Sequence, residues 1–109
     1  MTGTAFPVFD DANFDTSVAA RPGVTVAGFW PATCIPCKQM TRMLQQIATE
    51  IPPGVLIGQV DAGHNPALVE RYGVRSLPTL LLFKDGALQE MRTGIDRKQV
   101  LRKAIESLL

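Results

Sequence analysis

Cys34 and Cys37 are the only cysteines in this 109-residue chain, and Ile35 and Pro36 separate them. The pair falls where an apolar, β-branched run gives way to a helical pattern, so it belongs at a helix N-terminus. Unpaired backbone N–H groups and the positive end of the helix dipole gather at that point. A thiol in such a field loses its proton more readily, and the thiolate is the form that attacks a disulfide. The placement therefore points to thiol–disulfide exchange. A pair of inert buried thiols would leave the helix start unused. A structural zinc site needs four ligands, and the sequence holds no second cysteine pair or spaced histidine cluster to supply them. No metal or organic cofactor is expected. His64, alone between Gly63 and Asn65, reads as an exposed turn residue.

The elements that must hold the pair follow from periodicity. Phe6 to Phe9 predicts a short edge strand, after which Asp10 or Asp11 can cap a helix running to about Ala20, with Phe14 and Val18 on one face. Val24 to Trp30 predicts a buried strand, nearly free of charge. A long helix then runs from the cysteines to about Ile51. Its Met40, Met43, Leu44, Ile47 and Ile51 recur every three or four residues as one core stripe, while Lys38 faces solvent. Pro36 suits the first helical turn, where its missing N–H costs nothing. Val55 to Val60 predicts a second buried strand. A helix follows with Pro66 at its start, capped by Asn65 or the preceding turn and closed by Gly73. Thr79 to Phe83 and Ala87 to Thr93 predict two strands joined at Asp85-Gly86, a strong hairpin signal. Asp96 can cap a last helix whose stripe is Val100, Leu101, Ala104, Ile105 and Leu108. Alternating strands and helices imply parallel pairing, and the late hairpin adds an antiparallel strand. The expectation is a single α/β domain over residues 1–109, a central mixed sheet with helices on both faces.

Composition narrows the function classes. The chain is 46% hydrophobic, with 11 basic and 10 acidic residues and a net charge of +1. It carries no electrostatic case for nucleic acid or an anionic membrane surface. Apolar runs such as Leu80 to Phe83 are far too short to span a bilayer. Met1 to Pro7 has neither a basic stretch nor a long apolar run, so it is not read as a secretion signal. A close cysteine pair in such a chain suits a reducing cytoplasm and a redox role.

Several separated segments, in order, resemble the thioredoxin family over nearly the full length. They are Phe29-Trp30, Cys34-Ile35-Pro36-Cys37-Lys38, Val60-Asp61, Asn65-Pro66, Tyr72-Gly73-Val74, and Leu77-Pro78-Thr79 running on to Gly86, with Gly94 near the end. The resemblance implies a thioredoxin fold and a protein-disulfide reductase. Cys34 would be the exposed nucleophile and Cys37 the partly buried resolving thiol. Pro78 would be a cis proline beside the cysteines. Trp30, Ile35, Pro36, Leu77, Pro78 and Gly94 would contact substrate. The partners implied are disulfide-containing proteins and a flavoprotein thioredoxin reductase, with the chain a monomer. A thiol oxidase or disulfide isomerase is the alternative within redox chemistry, and an interaction module is the alternative outside it.

Departures from the family pattern carry their own expectations. Gly28 stands where thioredoxins usually have a buried Asp, and Gly58 where an accompanying Lys is common. Reading the two as one lost unit, Cys37 must give its proton to water or to the departing sulfur. Slower resolution of the mixed disulfide is then expected, and Gly28→Asp should speed turnover near neutral pH. Ile35 replaces a small residue with a β-branched one, stiffening the first turn. Pro36 argues for the reducing end of the family.

Overall fold

The computed structural model describes residues 6–31 and 35–109, those at 35–37 by backbone alone. Among them, five strands form one sheet: β1 (Val8–Phe9), β2 (Val24–Trp30), β3 (Leu56–Asp61), β4 (Thr79–Lys84) and β5 (Ala87–Thr93). The helices are α1 (Ile35–Glu50), α2 (Pro66–Tyr72) and α3 (Lys98–Glu106). Across the sheet the order is β1-β3-β2-β4-β5. β1 and β2 run parallel to β3, while β4 is antiparallel to both β2 and β5.

Strand–helix alternation predicts parallel pairing through β4, but it stops at β2. The chain leaves β3 at Asp61 and re-enters at Thr79, which pairs with Phe29 at the same end of the sheet. The reason is length. The seven residues of α2 rise only about 10 Å, half of the roughly 20 Å that a six-residue strand spans. The connection therefore does not carry the chain back along the sheet.

Each face of the sheet has its own core. One is mainly aliphatic, with Trp30 at its edge: Val24, Val26, Ile57, Leu80 and Leu82 meet Met40, Leu44 and Ile47 of α1 and Leu101 and Ile105 of α3. The other is aromatic, with Phe9, Phe14, Tyr72 and Phe83 in edge-on or tilted contact at centroid distances of 5.5–6.0 Å. Rings in this geometry add to the burial energy of their surface.

Local signals explain most boundaries. β2 is buried along its whole length. Gly73 takes the left-handed conformation that ends α2. Asp85 and Gly86 both have positive φ, 52° and 83°, as a two-residue hairpin turn of the favoured twist requires. Four expectations change. The first helical stretch is a short π-helical turn, Asp15–Ala19, and the segment opens on Asp10, whose carboxylate accepts from the N–H groups of Ala12 and Asn13. Asn65 does not cap α2 with its side chain. It accepts from Asp11 N–H and donates to the Asp61 carbonyl, while Asp11 reaches across to accept from Leu68 N–H in the first turn of α2. Asp96 does not cap α3, because Arg92 Nε donates to it at 2.6 Å. Val100 is 43% exposed, leaving Leu101 and Ile105 as the buried centre of that stripe.

Candidate active site

β2 ends at Trp30, and α1 begins at Ile35 on the same end of the sheet. Cys34 lies outside the described residues, and Cys37 is the third residue of α1 by its backbone. The first turn of α1 contains no acidic residue, so nothing of its own opposes the positive end of the dipole there. The neighbouring strands bring the other expected residues to this end. Phe29 pairs with Thr79, Thr79 pairs with Thr93, and Gly94 N–H donates to the Pro78 carbonyl at 2.9 Å. The Leu77-Pro78 bond is cis, as the resemblance implied. Pro78 is buried, whereas Leu77 and Ile95 on either side of this junction are 43% and 44% exposed. Gly94 has φ +81°. The sheet's irregularity lies elsewhere, between Leu82 and Phe83, so Gly94 does not relieve a bulge.

Trp30 is nearly buried, 7% exposed. Its indole N–H donates to Gln59 Oε1 at 3.3 Å, and the Gln59 amide donates in turn to the Phe6 carbonyl at 3.3 Å. The indole also settles what Gly28 does. A Cβ at residue 28 would lie less than 3.0 Å from two atoms of the Trp30 six-membered ring. The space for a side chain is already filled. Gly28→Asp therefore cannot simply restore an acid, because the carboxylate would have to evict a buried ring. The expected pairing of Gly28 with Gly58 is also corrected. Gly58 stands opposite Ala27 in register, and a Cβ there would meet the Phe9 ring in the aromatic core. Side chains alternate faces along a strand, so the two glycines face different layers. On the layer of Gly28, β3 presents Ile57 and Gln59. Sequence reading missed Gln59; the signal available was an amide interrupting the apolar run of β3 two residues before its site end at Asp61.

Electrostatics at this end are mild. The His64 imidazole, 2.8 Å from Asp61 and 82% exposed, holds the Asp61 carboxyl below the usual carboxylate range, helped by Gly63 N–H. His64 is the exposed turn residue expected. Among the described residues, the buried polar side chains are Thr25, Asn65 and Thr79, so no carboxylate is buried among them. No three His, Cys, Asp or Glu side chains among the described residues converge as a metal's ligands would. No described helix is long and apolar enough to cross a membrane.

The family model described as thioredoxin matches residues 5–107. The chain belongs to the thioredoxin family. It is 40% identical over 98 residues to the thioredoxin of Chlamydia trachomatis serovar D, covering 90% of this chain and 93% of that one. Against the thioredoxin of Rhodospirillum rubrum it is 33% identical over 97 residues, covering 89% and 93%. The solved structure of a single-substitution mutant thioredoxin from Halobacterium salinarum superposes with a TM-score of 0.84 at 28% identity, covering 99% of this chain and 94% of that one. The fold is the thioredoxin fold, an α/β arrangement around a mixed sheet. As a thioredoxin-family protein the chain is a thiol–disulfide oxidoreductase that reduces protein disulfides. These relatives do not favour the oxidase, isomerase or interaction-module readings.

Proposed function

We propose that reduction runs through Cys34 and Cys37. The Cys34 thiolate attacks one sulfur of a substrate disulfide; that S–S bond breaks, and the other substrate sulfur leaves and takes up a proton. Cys37 then attacks Cys34 Sγ in the mixed disulfide, releasing the second substrate thiol and closing a Cys34–Cys37 bond. Two electrons pass to the substrate. The observation that carries this reading is the placing of the backbone of Cys37 in the first turn of α1, at the sheet end where Leu77-Pro78 and Gly94 meet. Helix-start N–H groups favour a thiolate there. Leu77 and Gly94, with Ile35 and Pro36, form the docking surface for the substrate's chain, and the buried Trp30 and Pro78 back it.

With no buried carboxylate among the described residues, the Cys37 proton goes to solvent or to the departing sulfur. The pH profile of turnover then follows the thiols alone. Residues 1–109 act as one domain and as a cytoplasmic monomer, re-reduced by a flavoprotein thioredoxin reductase. The family match over residues 5–107 supports the single unit, and the reductase follows by analogy with the family.

Insulin-disulfide reduction with a dithiol, comparing the wild type with Cys34→Ser, tests the central claim. The variant is expected to fall to the rate of the dithiol alone with its melting temperature little changed. Equal rates would overturn the reading. A Cys34/Cys37 potential well above the cytosolic glutathione poise would turn it toward oxidation.

A further inference from the structure

Two glycines of the sheet are equally crowded by aromatic rings, and only one faces the helix that carries the cysteines. Gly28 is opposite Gln59 in register, and Trp30 is two residues further along the same face of β2. The indole lies back over Gly28, in the space a Cβ would need, and its N–H reaches Gln59 directly alongside. Gln59 is itself held by its bond to the Phe6 carbonyl. Trp30 shares the buried cluster of Met40 and Leu44, so the ring lies in the layer between the sheet and α1. Beside it, an open cavity of about 270 Å³ is lined by Val8, Trp30, Pro31, Gln59 and Asp61. The ring of Trp30 is thus shared between the wall of this open cavity and the buried layer behind it.

We propose that Gly28 and Gln59 are positioning residues acting through Trp30: glycine opens the slot, the indole fills it, and the carboxamide pins it. Their effect is on the dithiol–disulfide equilibrium of Cys34 and Cys37, so the proposal rests on the dithiol reading above. A seated ring packs in one cluster with Met40 and Leu44 and so holds α1 against the sheet, which suits the more constrained disulfide form. Displacing the ring admits water from the cavity, and water solvates a thiolate better than an apolar layer does. Both consequences push the equilibrium toward the dithiol.

The experiment uses the whole chain and three variants: Gly28→Ala, Gln59→Leu and, as the matched control, Gly58→Ala. Gly58→Ala sets a new Cβ against the Phe9 ring in the other core, so it loosens the sheet without touching the Trp30 layer. The readouts are the Cys34/Cys37 equilibrium against glutathione and the emission of Trp30, the sole tryptophan. Gly28→Ala and Gln59→Leu are expected to shift the equilibrium toward the dithiol by about fivefold, or ~20 mV for a two-electron couple, with red-shifted emission. Gly58→Ala is expected to lower stability and leave both readouts unchanged. If Gly28→Ala fails to fold, Gln59→Leu alone decides, since its side chain is half-buried beside an open cavity. Equilibria within about twofold of wild type, or an equal shift in Gly58→Ala, would overturn the proposal. Absence of any dithiol couple in the wild type would instead overturn the function reading.

Discussion

At one end of the sheet, the Arg21 guanidinium donates to the carbonyls of Pro22, Val24 and Gly54 and to Thr25 Oγ1, at 2.8–3.4 Å. Asp85, in the turn between β4 and β5, bonds to the same loop through Gly23. Its N–H donates to the Gly23 carbonyl and its carboxylate accepts from Gly23 N–H, both at 2.8 Å. At the other end, β4 and β5 are tied by Gly94 N–H to the Pro78 carbonyl, and Leu77 and Ile95 stand nearly half exposed. The closed end satisfies its loop carbonyls internally. The reactive end leaves apolar surface for another protein to cover. A hydrogen-bond network far from the chemistry lets the docking surface stay open without loosening the sheet, because each satisfied loop carbonyl contributes about 1 kcal/mol.

That contrast can be broken from the closed end first. A Cβ at Gly86 would lie less than 3.0 Å from the Ala19 carbonyl, and its φ is +83°. Gly86→Ala is expected to lose about 2–3 kcal/mol in urea unfolding, from the forced left-handed backbone and the clash. Insulin reduction per folded molecule should stay at the wild-type level; a fall would mean that the two ends are coupled. At the open end, Leu77→Ser is expected to do the reverse. KM for a protein disulfide should rise roughly three- to tenfold, the worth of burying half a leucine, with kcat and the urea midpoint unchanged.

The smallest effect is expected at Glu50, the last residue of α1 and the one farthest from its reactive start. Glu50 pairs with Lys98 and Arg102 of α3. The bond from Lys98, then that from Arg102, holds its carboxyl below the ordinary value of 4.5. A lowered folded pKa means stability that is present above 4.5 and lost as pH falls through the folded value. Glu50→Gln should therefore lower the melting temperature slightly at pH 7. The difference from wild type should vanish in acid, and also at about 1 M salt, where exposed pairs are screened. A difference that persisted in acid would assign the effect to packing.

What could be read from the sequence divides along the same physical line. β2, α2, the Asp85-Gly86 turn and β5 match their expected bounds to within a residue or so, because each is written in its own few residues: a β-branched run, Pro66 and Gly73, two turn formers. The cis Leu77-Pro78 bond came from the family resemblance. Asp96 fails as a cap for the opposite reason, and of the two acids offered for the first helical stretch Asp10 takes the role while Asp11 goes elsewhere. Asp96 is claimed by Arg92 of β5, and Asp11 by an amide 57 residues away, and periodicity within one element cannot see a partner in another. The pairing of Gly28 with Gly58 failed on register. A single-residue offset between β2 and β3 moves a side chain to the opposite face, and only the strand alignment reveals that Gln59, not Gly58, lies beside Gly28.

The exchange of bonds among Asp11, Asn65 and Leu68 has a consequence for how the aromatic side of the molecule assembles. A seven-residue helix is less than two turns and is not stable alone in water. α2 receives its N-terminal acceptor from Asp11, and Asp11 N–H is in turn fixed by Asn65 at the start of α2. The segment before β2 and the segment after β3 thus hold one another's ends, and they are expected to form and melt as one cooperative unit. Neither piece is expected to hold its shape as an isolated fragment, and the Phe14–Tyr72 contact joins the two.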